Sequence, residues 1–338
     1  MKNGTQTLLV VILFLNICQV YGQDPVLSQF YSSPLLLNPA FAGNTSSPRL
    51  AINYRNQWPL ISQAYRTYAI SYDQFFNAFN SGIGASILTD DAGNGLYKTT
   101  KVGAVYSYRL KIGKNTFIKT GLEFGGVIAS VGWDKLIFPD QLDPLYGEVG
   151  PGGSPIPSLE LRPDKTNRFY LDLAMGTMIY NPHFYGGISI NHINNPDVRF
   201  IRVSDGTSSG LPIRLTVHAG SQISILDAKP GKTSIFLSPN ILYTQQNNFK
   251  ELLGGAYIGL GAFFTGGWLR MTPSNIDAAI FNAGVRVNNM KISYSFDATL
   301  SSLTLRSGGA HEIGIVINLD DQKFKKTNDY NDCFQLFR

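Results

Sequence analysis

Residues 214–225 read Arg214-Leu215-Thr216-Val217-His218-Ala219-Gly220-Ser221-Gln222-Ile223-Ser224-Ile225, and the alternation in this run decides the fold. In an extended chain Leu215, Val217, Ala219, Ile223 and Ile225 share one face, while Arg214, Thr216, His218, Gln222 and Ser224 share the other. The same split recurs at 101–110, where Val102, Ala104, Tyr106, Tyr108 and Leu110 oppose Lys101, Ser107 and Arg109. At 171–179, Leu171, Leu173, Met175 and Ile179 oppose Asp172, Ala174 and Gly176. At 290–297, Met290, Ile292, Tyr294 and Phe296 oppose Lys291, Ser293, Ser295 and Asp297. A strand with one greasy and one polar face suits a wall between hydrocarbon and a wet lumen.

Runs of this kind, bounded by Gly, Pro, Asn and Asp, predict strands at 49–58, 65–74, 81–89, 97–111, 115–132, 168–180, 184–194, 212–226, 232–244, 250–262, 264–272, 278–288, 289–297 and 309–319. An even count returns both ends of a bacterial single-chain barrel to the periplasm. The connections switch between short turns, around Ile112-Gly113-Lys114, Asn181-Pro182-His183 and Asn288-Asn289, and longer loops near 133–167, 195–211 and 298–309. The short links are expected to fall on one side. The chain therefore reads as all-β: a transmembrane up-and-down antiparallel β-barrel of about 14 strands in the outer membrane of a Gram-negative bacterium.

Composition agrees. Charged residues make up 15% of the 338, against about 25% in a soluble protein, while Gly (34), Phe (21) and Tyr (17) are plentiful. The formal net charge of +5 comes with no dense basic run, which gives nucleic-acid binding little support. Residues 1–22 read as a signal peptide: Lys2, an apolar stretch from Leu8 to Ile17, then Val20-Tyr21-Gly22 before the cut. A lipoprotein cysteine at Cys18 is disfavoured because Asn16-Ile17 stands where small residues are wanted. With the leader gone Cys333 is alone, so neither an intramolecular disulfide nor a Cys-based metal cage is available. Beyond the leader no run of about 18 apolar residues could form a membrane helix.

Two regions are expected outside the wall. Residues 23–47 carry Pro25, Pro34 and Pro39 among Leu35, Leu36, Leu37 and Phe41, too interrupted for a strand yet apolar enough to need burial. They read as an N-terminal plug or docking arm, ahead of a barrel spanning 48–319 and a periplasmic tail at 320–338. The loop 133–167 holds six prolines and Gly150-Pro151-Gly152-Gly153, the marks of a long irregular external loop.

No motif gives catalysis a foothold, and no cofactor or metal is expected. Gly231-Lys232-Thr233 lacks the earlier Gly of a phosphate loop, since Leu226 stands there. Gly254, Gly255, Gly259 and Gly261 have the wrong spacing for a dinucleotide fingerprint and read as lumen crowding or barrel bends. His311-Glu312 lacks the second helical His of a zinc protease, and His183, His192 and His218 are scattered. Asp90-Asp91-Ala92-Gly93-Asn94-Gly95 has calcium-like oxygens but fits a Gly/Asn-rich hairpin better. Arg55-Asn56-Gln57-Trp58-Pro59 ends the first strand. Its plain reading is a barrel rim, with Trp58 in the aromatic girdle and Arg55 in the lumen pairing with Asp73; its functional reading is partner recognition.

Several stretches resemble the opening of the PorP/SprF family: Gln23-Asp24-Pro25, Ser28-Gln29-Phe30-Tyr31, Leu37-Asn38-Pro39-Ala40-Phe41-Ala42-Gly43, Tyr54-Arg55-Asn56-Gln57-Trp58-Pro59 and Ser71-Tyr72-Asp73. Tyr294-Ser295-Phe296-Asp297 and Gly308-Gly309-Ala310-His311-Glu312-Ile313 resemble its closing strands. The resemblance implies a non-enzymatic Bacteroidota outer-membrane protein tied to type IX secretion and gliding. Such a barrel helps export or anchor large surface proteins, often adhesins. Its implied partners are outer-membrane lipid, a secreted surface protein with a type IX C-terminal domain, and periplasmic or outer-membrane subunits of the machine. Candidate partner-binding or rim residues are Arg55, Gln57, Trp58, Asp73, His311 and Glu312. The tail carries Lys323, Lys325, Lys326 and Cys333 and reads either as a disordered extension or as a machine contact. The rival reading is a channel for small solutes. That needs an open lumen, which residues 23–47 and the inward Arg55, Arg109, Arg214 and Arg286 would block.

Overall fold

A computed structural model describes residues 24–45, 47–61, 64–150, 153–200, 210–226, 234–300 and 305–319. The strands are β1 (Arg49–Gln57), β2 (Tyr65–Phe76), β3 (Ser81–Ala92), β4 (Tyr97–Lys111), β5 (Phe117–Val131), β6 (Asn167–Tyr180), β7 (Phe184–Asn191) and β8 (Arg214–Ser221). They continue with β9 (Ile223–Leu226), β10 (Ile235–Gln246), β11 (Phe249–Leu260), β12 (Phe263–Met271), β13 (Ile276–Val287), β14 (Met290–Thr299) and β15 (Ala310–Asn318). β8 and β9 pair with β10 in one register as far as Ser224, with a bulge before Leu226, and are two lengths of a single stave, so the barrel has fourteen staves. The break at Gln222 follows Ser221, which the register sets opposite Pro239; Pro239 has no N–H to donate, and the Ser221 carbonyl accepts from the Ser238 hydroxyl at 2.8 Å instead. Each stave pairs antiparallel with its sequence neighbour, and β1 pairs with β15 from Arg49↔Asn318 to Gln57↔Ala310, closing the ring.

The predicted faces are the observed ones. Tyr68, Ile70 and Tyr72 of β2 are exposed toward lipid while Thr67, Ala69, Ser71 and Asp73 are buried. In β14, Ile292 and Tyr294 point out while Lys291, Ser293, Ser295 and Asp297 point in. The connection pattern is less regular than the sequence suggests. One end, the turn end, carries links at 77–80, 112–116, 181–183, 227–234, 261–262 and 288–289. The loop end carries the long 132–166, 192–213 and 300–309, but also tight links at 93–96, 247–248 and 272–275. A short link closes any adjacent antiparallel pair at either end, so turn length alone does not assign the side.

Residues 24–45 occupy the lumen. Ser28, Gln29, Tyr31, Ser32, Ser33, Leu35, Asn38, Ala40, Phe41 and Ala42 are all nearly or fully buried inside the wall. The arm folds as a single helical turn, α1 (Pro34–Leu37), started by Pro34, followed by a tighter turn at Pro39–Phe41 capped by the Asn38 side chain. Its polar side chains meet the polar inner face of the staves. Its apolar ones meet inward aromatics: Tyr31 stacks on Trp268 with centroids 5.9 Å apart, and Phe41 lies 5.3 Å from the His218 ring.

Wall glycines make room for the arm and for these aromatics. A Cβ on Gly121 would lie 2.4 Å from the Pro39 carbonyl carbon, and one on Gly259 would lie 2.1 Å from Phe236. Lumen crowding is thus correct for Gly259 and Gly255, whereas Gly254 has open space and Gly261, at φ 63, makes a tight turn. Gly121→Ala is expected to destabilise the barrel by about 1–3 kcal/mol through overpacking against the arm, while Gly254→Ala has no such effect. Urea titration in lipid vesicles, followed by tryptophan fluorescence, compares the two.

Candidate functional site

Strand parity puts charged side chains into a lumen that the arm occupies, and buried charge must then be paired. Three clusters result, each gripping the arm. Along the β1–β15 seam, the Glu312 carboxylate accepts from the Ser28 amide at 2.8 Å and the Gln29 amide at 3.1 Å, and pairs with Arg55 at 3.3 Å. Asp297 accepts from the Ser28 hydroxyl at 2.6 Å and pairs with Arg55 and Arg270, both at 2.9 Å. Arg270 also reaches Glu251 at 3.5 Å.

Across the loop end, Asp24 lies 2.6 Å from His192 and 3.0 Å from Arg214. His192 in turn meets Asp172 at 2.8 Å, and Lys101 bridges Asp172 and Glu123 at 2.8 and 3.0 Å. At the turn end, Asp73 pairs with Arg49 at 2.9 Å and accepts from the Gly43 amide at 2.7 Å, while Lys119 donates to the Ala42 carbonyl. Between the charged ends, Asn282 donates to the Tyr31 hydroxyl, and the Asn38 amide donates to the carbonyls of Thr177 and Ile188.

Of the six residues singled out by sequence, Arg55 and Glu312 meet at the seam, with the Gln57 side chain accepting from Arg55 at 3.3 Å. Trp58 follows the strand at φ 58, donates its amide to Gly309 and packs edge-on against Tyr65 at 5.6 Å. This places it at the loop-end rim. The expected Arg55–Asp73 pair does not form. In the β1–β2 register Asp73 stands opposite Arg49, and Arg55 stands opposite Thr67. Six residues of extended chain, about 20 Å, separate the two sites.

His311 is turned away from its neighbour Glu312. It lies on the outer face, with Nδ1 2.7 Å from the Tyr294 hydroxyl and its ring 5.1 Å from Phe296. Asp297 and Arg270 carry charge at inward strand parity, the signal that finds such a cluster, whereas Ser28, Asp24 and His192 lie outside the strands and carry no such signal.

Near Arg55, Gln57, Trp58, Arg270, Asp277 and Asp297 a cavity of about 20 Å³ opens. It holds roughly one water and is far smaller than a ligand pocket of about 300–1,000 Å³. Asp90 and Asp91 serve a hairpin: Asp90 accepts from the Thr67 hydroxyl, Asp91 from the Gly95 amide, and Gly93, Asn94 and Gly95 have positive φ. The run Gly206-Thr207-Ser208-Ser209-Gly210 has the spacing of a nucleophile elbow. It leads into strand β8 rather than a helix, unlike an elbow, and only Gly210 is among the described residues. The leader, Gly231-Lys232-Thr233, Cys333 and the basic tail lie outside the described residues.

Fold and lumen together define a transmembrane β-barrel with an occupied lumen, a class that fits the outer membrane. A family model for the type IX secretion system membrane protein PorP/SprF matches residues 19–317. The chain belongs to the PorP/SprF family. No curated protein gives a match. Among solved structures, a porin mutant of Rh. blastica aligns at 6% identity over 80% of this chain and 98% of that one, with a TM-score of 0.34. A Pseudomonas aeruginosa FadL homologue aligns at 11% over 84% and 93%, TM-score 0.41. BamA from Haemophilus ducreyi aligns at 10% over 80% and 69%, TM-score 0.38. Likenesses this distant carry no argument here.

The seam register can be checked by double-mutant cycles. Arg55→Gln with Asp297→Asn is expected to show a coupling of about 0.5–3 kcal/mol, whereas Arg55→Gln with Asp73→Asn adds to within about 0.5 kcal/mol. The loop-end grip depends on pH. Burial opposes ionisation of Asp24, but Arg214 and His192 outweigh it and hold the carboxyl well below its usual range. Burial also disfavours the His192 imidazolium, yet the Asp24 and Asp172 carboxylates raise its pKa.

The raised imidazole contributes stability that is complete below the unfolded value of 6.5 and is lost as pH rises through the folded one. The lowered carboxyl contributes above 3.8 and loses its effect only as pH falls through the depressed value. His192→Gln should therefore lower the melting temperature more near pH ~5.5 than near pH ~9, which calorimetry in detergent measures.

Proposed function

We propose that this protein is a non-enzymatic outer-membrane accessory of type IX secretion and gliding, which helps export or anchor large cell-surface proteins by binding their C-terminal domain or subunits of the machine. Membership of the PorP/SprF family supports this reading. The observation that carries it is the lumen, which residues 24–45 occupy through buried hydrogen bonds and ion pairs along their length. A solute channel needs an open path there. With the interior taken, partners are left the loop end, the turn end and the lipid-facing wall. Trp58, half-buried at the loop-end rim beside exposed Leu60 and Tyr65, is a suitable anchor. Arg55 and Glu312 hold the arm rather than face a partner.

Affinity capture from detergent-solubilised membranes is expected to recover one very large surface protein. Trp58→Ala should reduce that recovery several-fold while the heat-modifiable mobility of the folded barrel is unchanged. Steady ion conductance by the intact protein in a planar bilayer, with no co-purifying partner, would sink the reading in favour of a channel.

A further inference from the structure

The outer face of β1 to β4 changes chemistry in register from the middle of the wall to the loop end. One ladder row sets Ile52, Ile70, Ile87 and Val102 side by side, all exposed toward lipid. Two positions nearer the loop end the same staves carry Tyr54, Tyr68, Thr89 and Thr100, and two further they carry Asn56, Arg66, Asp91 and Lys98. The charged row thus lies about 14 Å along the staves from the aliphatic one. With aromatic rings between, this is the sequence of hydrocarbon, boundary and headgroup levels. Arg66 and Lys98 are exposed, and among the described residues neither forms an ion pair. Asp91 stands between them in the ladder, but its carboxylate accepts from the Gly95 amide at 2.5 Å and is tied to its own hairpin. The two bases are two strand spacings apart, about 10 Å, which their long side chains can close around one oxyanion.

We propose that the loop-end wall of β1 to β4 is a binding site for a lipid phosphate monoester, with Arg66 and Lys98 as its cationic contacts and the aliphatic row as the bed of the acyl chains. Charge decides the headgroup. A guanidinium and an ammonium give a phosphate charge-assisted hydrogen bonds, whereas a zwitterionic headgroup brings its own cation to a sector that already carries two bases for one acid. Position decides that the ligand is a lipid: a free phosphate would meet only the charged row, while a lipid covers Ile70, Ile87 and Val102 as well. Exposed charge contacts are individually weak, so both bases and the acyl contact are needed together, and staves of one continuous ladder hold them at fixed spacing. Tyr54 and Tyr68, with ring centroids 5.0 Å apart, flank the site on its β1 side, where amphipathic rings suit the edge of the hydrocarbon. With the long loops outside, the lipid belongs to the outer leaflet; the site itself does not depend on that orientation.

The test is native mass spectrometry of the full-length protein in neutral detergent, with dioleoyl phosphatidic acid and dioleoyl phosphatidylcholine offered at equal concentration, so that only the headgroup differs. The protein is expected to retain phosphatidic acid about five-fold more than phosphatidylcholine, as two exposed charge contacts allow. Arg66→Gln/Lys98→Gln should abolish that preference and leave phosphatidylcholine retention as it was. Each single substitution should lose part of it, so the comparison survives if the double variant does not assemble, which heat-modifiable mobility shows. Lys250→Gln removes another exposed base at the loop end, on β11 across the ring, and should leave the preference unchanged. Equal retention of the two lipids by the unaltered protein would overturn the proposal, as would a preference that persists in the folded Arg66→Gln or Lys98→Gln variants. A loss in Lys250→Gln as deep as in the double variant would show general attraction to a basic rim, and would overturn the site equally. Because the lipid is supplied in detergent, none of these outcomes turns on which leaflet surrounds the loop end.

Discussion

In hydrocarbon no water is available to satisfy a strand edge, so the first and last staves of this sheet must find each other. Every other pairing joins neighbours in sequence through a connection of modest or moderate length. The β1–β15 pairing alone joins residues more than 250 positions apart, such as Arg55 and Glu312, and loop closure makes it the entropically costly one. The arm is placed where that cost falls. Ser28 and Gln29 bond Glu312 of β15, Ser33 bonds Asn53 of β1, and Arg55 of β1 spans to Glu312 and to Asp297 of β14. The segment immediately ahead of β1 thus touches both sides of the seam, and sequence proximity brings it to one of them at little entropic cost.

Closing the ring creates a second demand. Period-2 alternation that gives lipid a greasy face gives the interior a polar one, and a polar interior must hold water or matching groups. Here the match is the arm, whose serines, amides and backbone meet the wall, so that carboxylates such as Glu312 are hydrogen-bonded as well as ion-paired. Buried pairs of this kind contribute little net stability, because desolvation offsets attraction, but removing one partner costs about 3–5 kcal/mol. Their effect is to select one position for the arm: a shift of one residue along the lumen would strand Asp24, Glu312 or Asp73 without its partner.

The staves were legible in the sequence because each carries its own signal. Parity at 101–110, 171–179, 214–225 and 290–297 is local, and a lipid-facing wall enforces it residue by residue. What failed was information that is not local. Arg55 and Asp73 are plausible neighbours by type and by hairpin, but register depends on where the turn falls, and the 58–64 connection sets Arg49 opposite Asp73. The long-range match of Asp24 to His192 and Arg214 has no sequence signature beyond the inward parity of Arg214. Adjacent strand residues take opposite faces, so His311 lies on the outer face while its neighbour Glu312 enters the lumen. The break at Gln222 was partly readable, since Pro239 marks a defect in whichever strand it occupies.

A barrel filled from within differs from a porin in what its wall can be used for. Inward side chains that would tune ion selectivity in an open lumen are committed here to holding a segment of the same chain. Variation at Asp297, Arg270 or Asp172 therefore acts on arm placement before it acts on anything outside. Burial relaxes at the ends: Leu145, Leu159 and Leu161 of the long loop are each more than 80% exposed, as no inward leucine is. Leucines held in water on a proline-rich loop lose nothing in flexibility and gain burial only when something covers them. The same division of labour explains why the loop end combines the most tightly paired charges with some of the most exposed apolar residues. The ion pairs hold the arm at the mouth, and the long loop beside them keeps its leucines exposed.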